Sequence, residues 1–320
     1  MLTDVKTTLK TTWERLMHAA DEEKPLTAYE QTRFSWARPL ASCAEVPEVY
    51  QDFLRTLPDM PETPPFAVLT PTYPGFVRRE NEKLVCTRAG KVYILEKTRD
   101  RVIPTIYAFA DINYVETGAV LLDGRLKISG VACDGRPATS ALKFNVVTDY
   151  LFRPIVDKFR AAAGCPIEVD HRREMEKFDG LILESFKYMN YGRHSILAGE
   201  RVVQFVFQPE IRSKILSELG RSLSRTVAVS HLLMLPDREL ILIREDEKSP
   251  KWRDGARYGG FHAYIPLHKI VATTLTEVGA DLLNLSIWMP CEDHIDTLFA
   301  MSKREELHAL LKQIESLKRE

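Results

Sequence analysis

The sequence predicts an α+β protein, in which an N-terminal helical segment precedes two similar modules of antiparallel strands that each end in a helix. Three observations lead to this prediction. The spacing of the apolar residues changes from three or four to two after a proline-rich stretch near residue 60. A pair of short apolar runs recurs 148 positions further along the chain, and both halves of the chain end on an amphipathic helical pattern.

Residues 1–60 are expected to be helical. Two sets of apolar residues recur there at intervals of three or four: Val5, Leu9, Trp13 and Leu16, and then Val49, Phe53 and Leu57. Such spacing places each set on one face of a helix. Four prolines follow between positions 58 and 65, and a helix cannot continue through that density of proline. We therefore predict a boundary there.

The first module is predicted to span residues 66–164. Two apolar runs in 84–97 flank a turn at Gly90, which indicates a hairpin, and further strands rich in β-branched and aromatic residues lie in 103–118, 124–131 and 140–147. The module ends on a helix over 148–164, with Thr148 as a candidate N-cap and Pro154 inside the helical pattern. Its predicted apolar face consists of Leu151, Ile155, Val156 and Phe159.

The second module repeats this order over residues 186–320, after a linker at 165–185. Leu84-Val85-Cys86 corresponds to Leu232-Leu233-Met234, and the residues of 107–118 correspond to those of 264–275 once one longer loop at 249–261 is allowed. Alternation at Val203, Phe205 and Phe207 indicates a half-buried strand. Residues 212–225 are predicted to form a short helix or an ordered loop. The final helix, 303–317, presents Leu307, Leu310, Leu311 and Ile314.

A run of six or seven antiparallel strands followed by one amphipathic helix resembles the pleckstrin-homology-like architecture. The runs GERVV, TVAVSHLLMLPDRELILIRED and YIPLHKIVATTL resemble the bacterial members of that family. The resemblance implies two tandem modules, each a partly closed antiparallel sheet capped by its C-terminal helix. It also implies a recognition or scaffold role without chemistry, by analogy of fold.

Two sets of basic residues are candidate binding sites. The loop at 249–261 combines cations, aromatic rings and glycines, a combination that can hold an anion or a partner: Lys251, Trp252, Arg253, Arg257 and Tyr258. The alternative is a surface loop whose rings pack on its own module. A weaker candidate surrounds the first hairpin: Arg78, Arg79, Lys83, Arg88 and Lys91. Glu80 and Glu82 lie among these cations, which argues against binding of a lipid headgroup.

No recognised catalytic or cofactor signature occurs. The chain has no glycine-rich dinucleotide motif, no phosphate-binding loop and no protease or kinase motif, so we expect no cofactor. Asp170-His171 and Asp293-His294 could be metal ligands, but neither has a second cluster at ligand spacing, and a solvated turn is the simpler interpretation. Ser230, His231 and Asp237 lie on one hairpin without the geometry of a triad.

Composition narrows the function classes further. The net charge of −1 provides no overall positive field for nucleic acid or an anionic membrane. We expect no signal peptide, because the first residues are polar and mixed in charge, and no run of apolar residues is long enough to span a membrane. Five cysteines without a CxxC pair favour a reducing, cytoplasmic setting. The sequence favours a non-enzymatic protein that binds a protein partner or itself. An enzyme with a site between the modules and a peripheral membrane protein stay open as alternatives.

Overall fold

The computed structural model describes residues 32–56, 67–73, 80–99, 101–218, 221–249 and 257–319. This part of the chain is a mixed α+β structure in which all strand pairings are antiparallel and the last element is a helix. Its four sheets are open at their edges, and none closes into a barrel within these residues. None of the described helices is long and apolar enough to span a bilayer.

The first sheet has five strands in chain order, β1 to β5. They are β1 (Arg38–Leu40), β2 (Ala67–Leu69), β3 (Lys83–Arg88), β4 (Lys91–Lys97) and β5 (Val102–Ala108). Helix α1 (Glu48–Arg55) buries Tyr50 and Leu54 against this sheet. The β3–β4 turn has Ala89 and Gly90 at φ values of 43° and 76°, the left-handed geometry that a two-residue hairpin turn with native twist requires.

The second sheet has seven strands and takes them from both halves of the chain. Their spatial order is β8-β7-β6-β14-β13-β12-β9. They are β6 (Ile112–Val120), β7 (Asp123–Val131), β8 (Pro137–Asn145), β9 (Val202–Gln208), β12 (His231–Pro236), β13 (Glu239–Arg244) and β14 (Gly260–Pro266). The halves join where residues 260–264 of β14 pair with residues 115–119 of β6. A Cβ atom on Gly118 would lie 2.1 Å from the carbonyl oxygen of Gly260, so this approach requires glycine.

The remaining strands form two smaller sheets. The hairpin β10 (Ile211–Glu218) and β11 (Arg221–Ala228) is one, and β15 (Ala272–Val278), β16 (Leu282–Trp288) and β17 (His294–Ala300) form the other. The helices that follow α1 are α2 (Arg153–Ala161), α3 (His171–Glu176), α4 (Phe186–Ser195) and α5 (Arg304–Leu317).

The largest hydrophobic core is common to both halves. It joins residues of β4, β6 and α2 to residues of α4, β12 and β13, for example Ile94, Val115, Phe159, Tyr188 and Ile241. A second core lies on the opposite face of β12 and β13, where β16, β17 and α5 cover it. Strands β12 and β13 are therefore buried on both faces, which explains why their sequences are nearly continuous apolar runs.

Several sequence predictions are confirmed. The hairpins at 84–97 and 232–245 form as β3–β4 and β12–β13, and the strand predicted from Val203, Phe205 and Phe207 is β9. The predicted C-terminal helix is α5, which buries Leu307, Leu310 and Ile314.

Other predictions are wrong or fall outside the described residues. Within 212–225, the described residues lie in the paired strands β10 and β11 rather than in a helix, because strand pairing overrides a weak helical propensity. The helical prediction for 1–60 fails at Arg38–Leu40, a strand held by pairing to β2. Val49 is 41% exposed, so it lies off the buried face of α1. The pattern at Val5, Leu9, Trp13 and Leu16, together with Leu57, lies outside the described residues.

The helix that ends the first half begins later than the sequence pattern indicated. Thr148 is not its N-cap, because its hydroxyl group binds Ala37 N and Asn145 O at 3.2 and 2.8 Å within a 3-10 helix over Val146–Leu151. Helix α2 starts at Arg153, which places Pro154 in the first turn, where a missing N–H breaks no hydrogen bond. Residues 165–185, predicted as a linker, contain α3 and a 3-10 helix over Asp179–Leu183 that buries Leu181.

Candidate functional site

A surface groove lies where the two halves meet, and we call it the junction groove. It encloses about 320 Å³ between β6 and β7 on one side and β13, β14 and the loop after β13 on the other. It is lined by Glu116, Arg125, Val229, Arg244, Glu245, Asp246, Glu247, Lys248 and Phe261. A neighbouring cleft of about 330 Å³ shares Val229, Arg244 and Glu247 with the groove and extends it towards β16 and β17.

Ion pairs across the floor of the groove connect the two halves. Arg244 lies 2.5 Å from Glu116, and Arg125 lies 3.5 Å from Asp246 while its guanidinium group rests over the Phe261 ring at 5.5 Å. Arg125 also pairs with Asp123 at 3.1 Å. Because the two arginines remain partly exposed, each pair contributes at most about 1 kcal/mol to stability. Their main effect is to fix the shape of the floor.

The rim of the groove presents charges of both signs. Glu247 and Lys248 are exposed, and within the described residues their side-chain charges have no ion-pair partner. The lining as a whole carries four carboxylates and three cations. A groove with this balance does not attract a phosphate group by its field, but it can pair with alternating charges of a polypeptide.

The ends of the loop predicted to bind an anion or a partner lie beside this groove. Arg257 is buried, and its guanidinium group donates to the carbonyl oxygens of Glu247 and Ser249 at 2.6 and 3.0 Å and approaches Glu210 at 3.3 Å. Through these contacts, Arg257 holds the two ends of the loop together. The Tyr258 carbonyl accepts from the Ser249 hydroxyl at 2.6 Å. Lys251, Trp252 and Arg253 lie outside the described residues.

Three of the cations predicted around the first hairpin are described by the structure, and these three do not gather into one site. Lys83 is buried between Glu80 and Glu96, at 3.8 and 3.7 Å. Arg88 and Lys91 face each other across the β3–β4 turn. Arg78 and Arg79 lie outside the described residues. Among the described members of this set, the structure therefore brings only Arg88 and Lys91 together, whereas Lys83 is ion-paired to Glu80 and Glu96.

A buried ion network, at the end of β13 opposite to the groove, was missed by sequence reasoning. Arg160 of α2 donates to Glu239 of β13 from Nη2 at 2.5 Å and from Nε at 2.9 Å, and to the Ser195 carbonyl at 2.6 Å. Glu200 joins the network at 3.5 Å from Arg160 and 3.2 Å from Arg238. Burial raises the pKa of Glu239 to about 7, and the Arg160 charge opposes that shift.

One signal in the sequence could have found this network. Arg160 lies four residues after Val156 and so continues the apolar face of α2. A charge on an apolar helical face indicates a buried partner of opposite sign. The partner itself could not be identified, because Glu239 is 79 positions away along the chain.

A serine–histidine contact lies next to the network. Ser195 Oγ is 2.9 Å from His262 Nδ1, and the His262 ring packs edge-on against Tyr191. Burial lowers the pKa of His262 to about 4, with the Arg160 and Lys187 charges acting in the same direction, so the ring is neutral at pH 7. No carboxylate binds its second ring nitrogen within the described residues, and Ser195 is buried. This contact therefore lacks the orienting acid and the exposed nucleophile of a hydrolytic triad.

The other histidines singled out in the sequence, and the aspartates grouped with them, do not form a site. The contacts that follow are structural. His231 Nδ1 binds the Val229 carbonyl, while the Asp237 carboxylate accepts from Arg201 N, so these two side chains do not meet. Asp170 caps α3 through Arg172 N. Asp293 accepts from Ser129 and Asn113 of the first half at 2.7 and 3.1 Å, which adds another polar contact between the halves.

Comparisons with known proteins leave the family open. The chain matches no protein-family model, and no curated protein is significantly similar to it in sequence. The functional argument therefore depends on the geometry of the chain itself.

Proposed function

We propose that this protein is a non-enzymatic scaffold of two pleckstrin-like modules, and that the junction groove binds a protein segment of mixed charge. The observation that carries the proposal is the groove itself, which only the two halves together can form. Glu116 and Arg125 come from one half, and Arg244 and Lys248 come from the other.

The order of elements supports the tandem modules. In the first half, β3, β4 and β5 precede a 3-10 helix at Phe109–Asp111, the strands β6, β7 and β8, and helix α2. In the second half, β12, β13 and β14 precede a 3-10 helix at Leu267–Lys269, the strands β15, β16 and β17, and helix α5. Six antiparallel strands followed by one helix is consistent with the order that the resemblance implies for each module.

The charges of the groove favour a polypeptide as its ligand. A phosphate or a lipid headgroup needs an excess of cations, whereas the carboxylates here outnumber them. Glu247 and Lys248 are adjacent and exposed, so a bound segment with a cation followed by an anion would satisfy both. The ion-paired floor contributes a fixed surface, which lowers the cost of ordering on binding.

Site-specific crosslinking tests this function. We expect a photo-crosslinking residue at position 248 to capture discrete protein partners in the cell, and the additional change Glu247→Lys to abolish their capture. A crosslinker at Lys312, an exposed lysine on α5, is the matched control. Capture of the same proteins from position 312, or capture at 248 that survives Glu247→Lys, would contradict binding in the groove.

A further inference from the structure

Strand β15 presents an unprotected sheet edge. Within the described part of the chain it pairs only with β16, along residues 272–278, so its other edge carries a row of free backbone donors and acceptors. The strand contains no proline, lysine or arginine. These are the devices by which proteins usually protect such an edge against pairing.

The corresponding edge in the first half is occupied. Strand β6, like β15, follows a 3-10 helix and is the first strand of a set of three that precedes a helix. One edge of β6 pairs with β7, and the other edge pairs with β14 along residues 260–264. The pairing of β14 with β6 thus shows that the first strand of such a set can accept an antiparallel partner on the edge that is free in β15.

The outer edge of β5 differs from that of β15. Pro104 lies within β5 and offers no N–H group, a placement typical of an edge strand. The carbonyl of Ile106 is already bound by Cys133 N at 2.8 Å. Because β5 is protected in both ways, it is a poor partner for β15 of another molecule, which argues against head-to-tail growth.

We propose that two copies of this chain pair through β15, antiparallel and about a two-fold axis near Leu275. This axis places Thr274 opposite Thr276 of the other copy, and threonine pairs are favourable across strands. Both threonines are exposed in the single chain. The only ionised side chain of the strand, Glu277, is already bound by Arg304 of α5, so pairing brings together no unmatched charges.

The proposed dimer joins the two three-stranded sheets into one six-stranded sheet. This mode of association is isologous and closed, since the same strand of both copies forms the interface. It does not involve the junction groove, so its failure and the failure of the proposed groove function can be told apart.

Light scattering coupled to size-exclusion chromatography tests the dimer on the full chain. We expect the mass to move from one chain to two as the concentration rises from low to high micromolar. The double change Thr274→Lys and Thr276→Lys places like charges opposite each other and should keep the protein monomeric. The matched control is Ile103→Lys, at an exposed position of β5, which should leave the dimer intact, as should Glu247→Lys in the groove.

Two further measurements distinguish loss of the dimer from loss of the fold. Circular dichroism and thermal unfolding of each variant check that the fold persists, so that loss of the dimer is not loss of structure. A wild-type chain that is monomeric at every concentration, assembly beyond two chains, or a dimer that the threonine changes leave intact would each overturn the proposal.

Discussion

The two three-stranded sets, β6–β8 and β15–β17, have the same order of elements but different neighbours. The first continues through β14 into a seven-stranded sheet, and the second remains a separate sheet that packs with α5 on the second core. The difference lies in what reaches the outer edge of the first strand. Gly118 and Gly259 allow close approach at β6, whereas β15 contains no glycine and has no described neighbour there. The outer edge of β6 thus connects the two halves, whereas the outer edge of β15 is the one that we propose pairs with a second copy.

The largest expected effect comes from breaking the buried ion network that ties α2 to the second half. Arg160→Met leaves Glu239 buried without its counterion, while Glu200 keeps its pair with Arg238, and should lower the free energy of unfolding by about 4 kcal/mol. Chemical denaturation measures this change. The control is Arg153→Met on the same helix, whose exposed pair with Asp149 should cost less than about 1 kcal/mol. Equal losses for both variants would show that the network does not connect the halves.

The next effect tests the glycine contact between β6 and β14. In Gly118→Ala the new methyl group would lie 2.1 Å from a backbone carbonyl oxygen, so the strands must separate, at a cost of about 2 kcal/mol or more. The midpoint of denaturation reports this change. Gly180→Ala is the control, since a methyl group there meets open space. If the two alanine variants are equally stable, the close approach at the junction is not required.

Acid should destabilise the second half more than residues 83–161, because those residues contain no histidine, whereas the second half buries His231. Burial lowers the pKa of His231 to about 4. The unfolded imidazole takes up its proton near pH 6.5, so the unfolded state binds more protons between these values. Stability should therefore fall as pH drops from 6.5 to 4, by roughly 1.4 kcal/mol per unit for this group.

The variant His231→Phe isolates that contribution. Its ring can keep the edge-on contact that His231 makes with Phe299, and it cannot take up a proton. The difference in the free energy of unfolding between wild type and variant over this pH range measures the contribution of His231. Glu239, with its raised pKa, contributes equally to both proteins and cancels from the difference. Parallel profiles would show that His231 is not the source of the acid sensitivity.

The smallest effect concerns the floor of the junction groove. Arg244→Gln removes the pair with Glu116, and because both side chains are partly exposed we expect a loss below about 1 kcal/mol. Crosslinking from position 248 should nevertheless weaken, since the floor loses its fixed shape. A large loss of stability with unchanged crosslinking would show that the pair of Arg244 and Glu116 stabilises the fold and does not shape the groove for binding.

Local sequence signals predicted the local elements. Apolar runs around Gly90 and around Pro236 to Arg238 were sufficient for two hairpins, because a hairpin depends on residues that are close in sequence. The pairing of β6 with β14 joins residues more than 140 positions apart, and no pattern within either strand specifies its partner. The same limit applies to the site, since the groove combines Glu116 with Lys248 and the network combines Arg160 with Glu239.

The most direct test of the contrast between the two edges is hydrogen exchange of β15 and β6 as a function of protein concentration. Half of the β15 amides should exchange rapidly in dilute protein and become protected as the concentration rises, while β6 stays protected throughout. The Thr274→Lys and Thr276→Lys variant should show no such change. Protection of β15 that is already complete in dilute, monomeric protein, or that never develops, would contradict a free edge that pairs with a second copy.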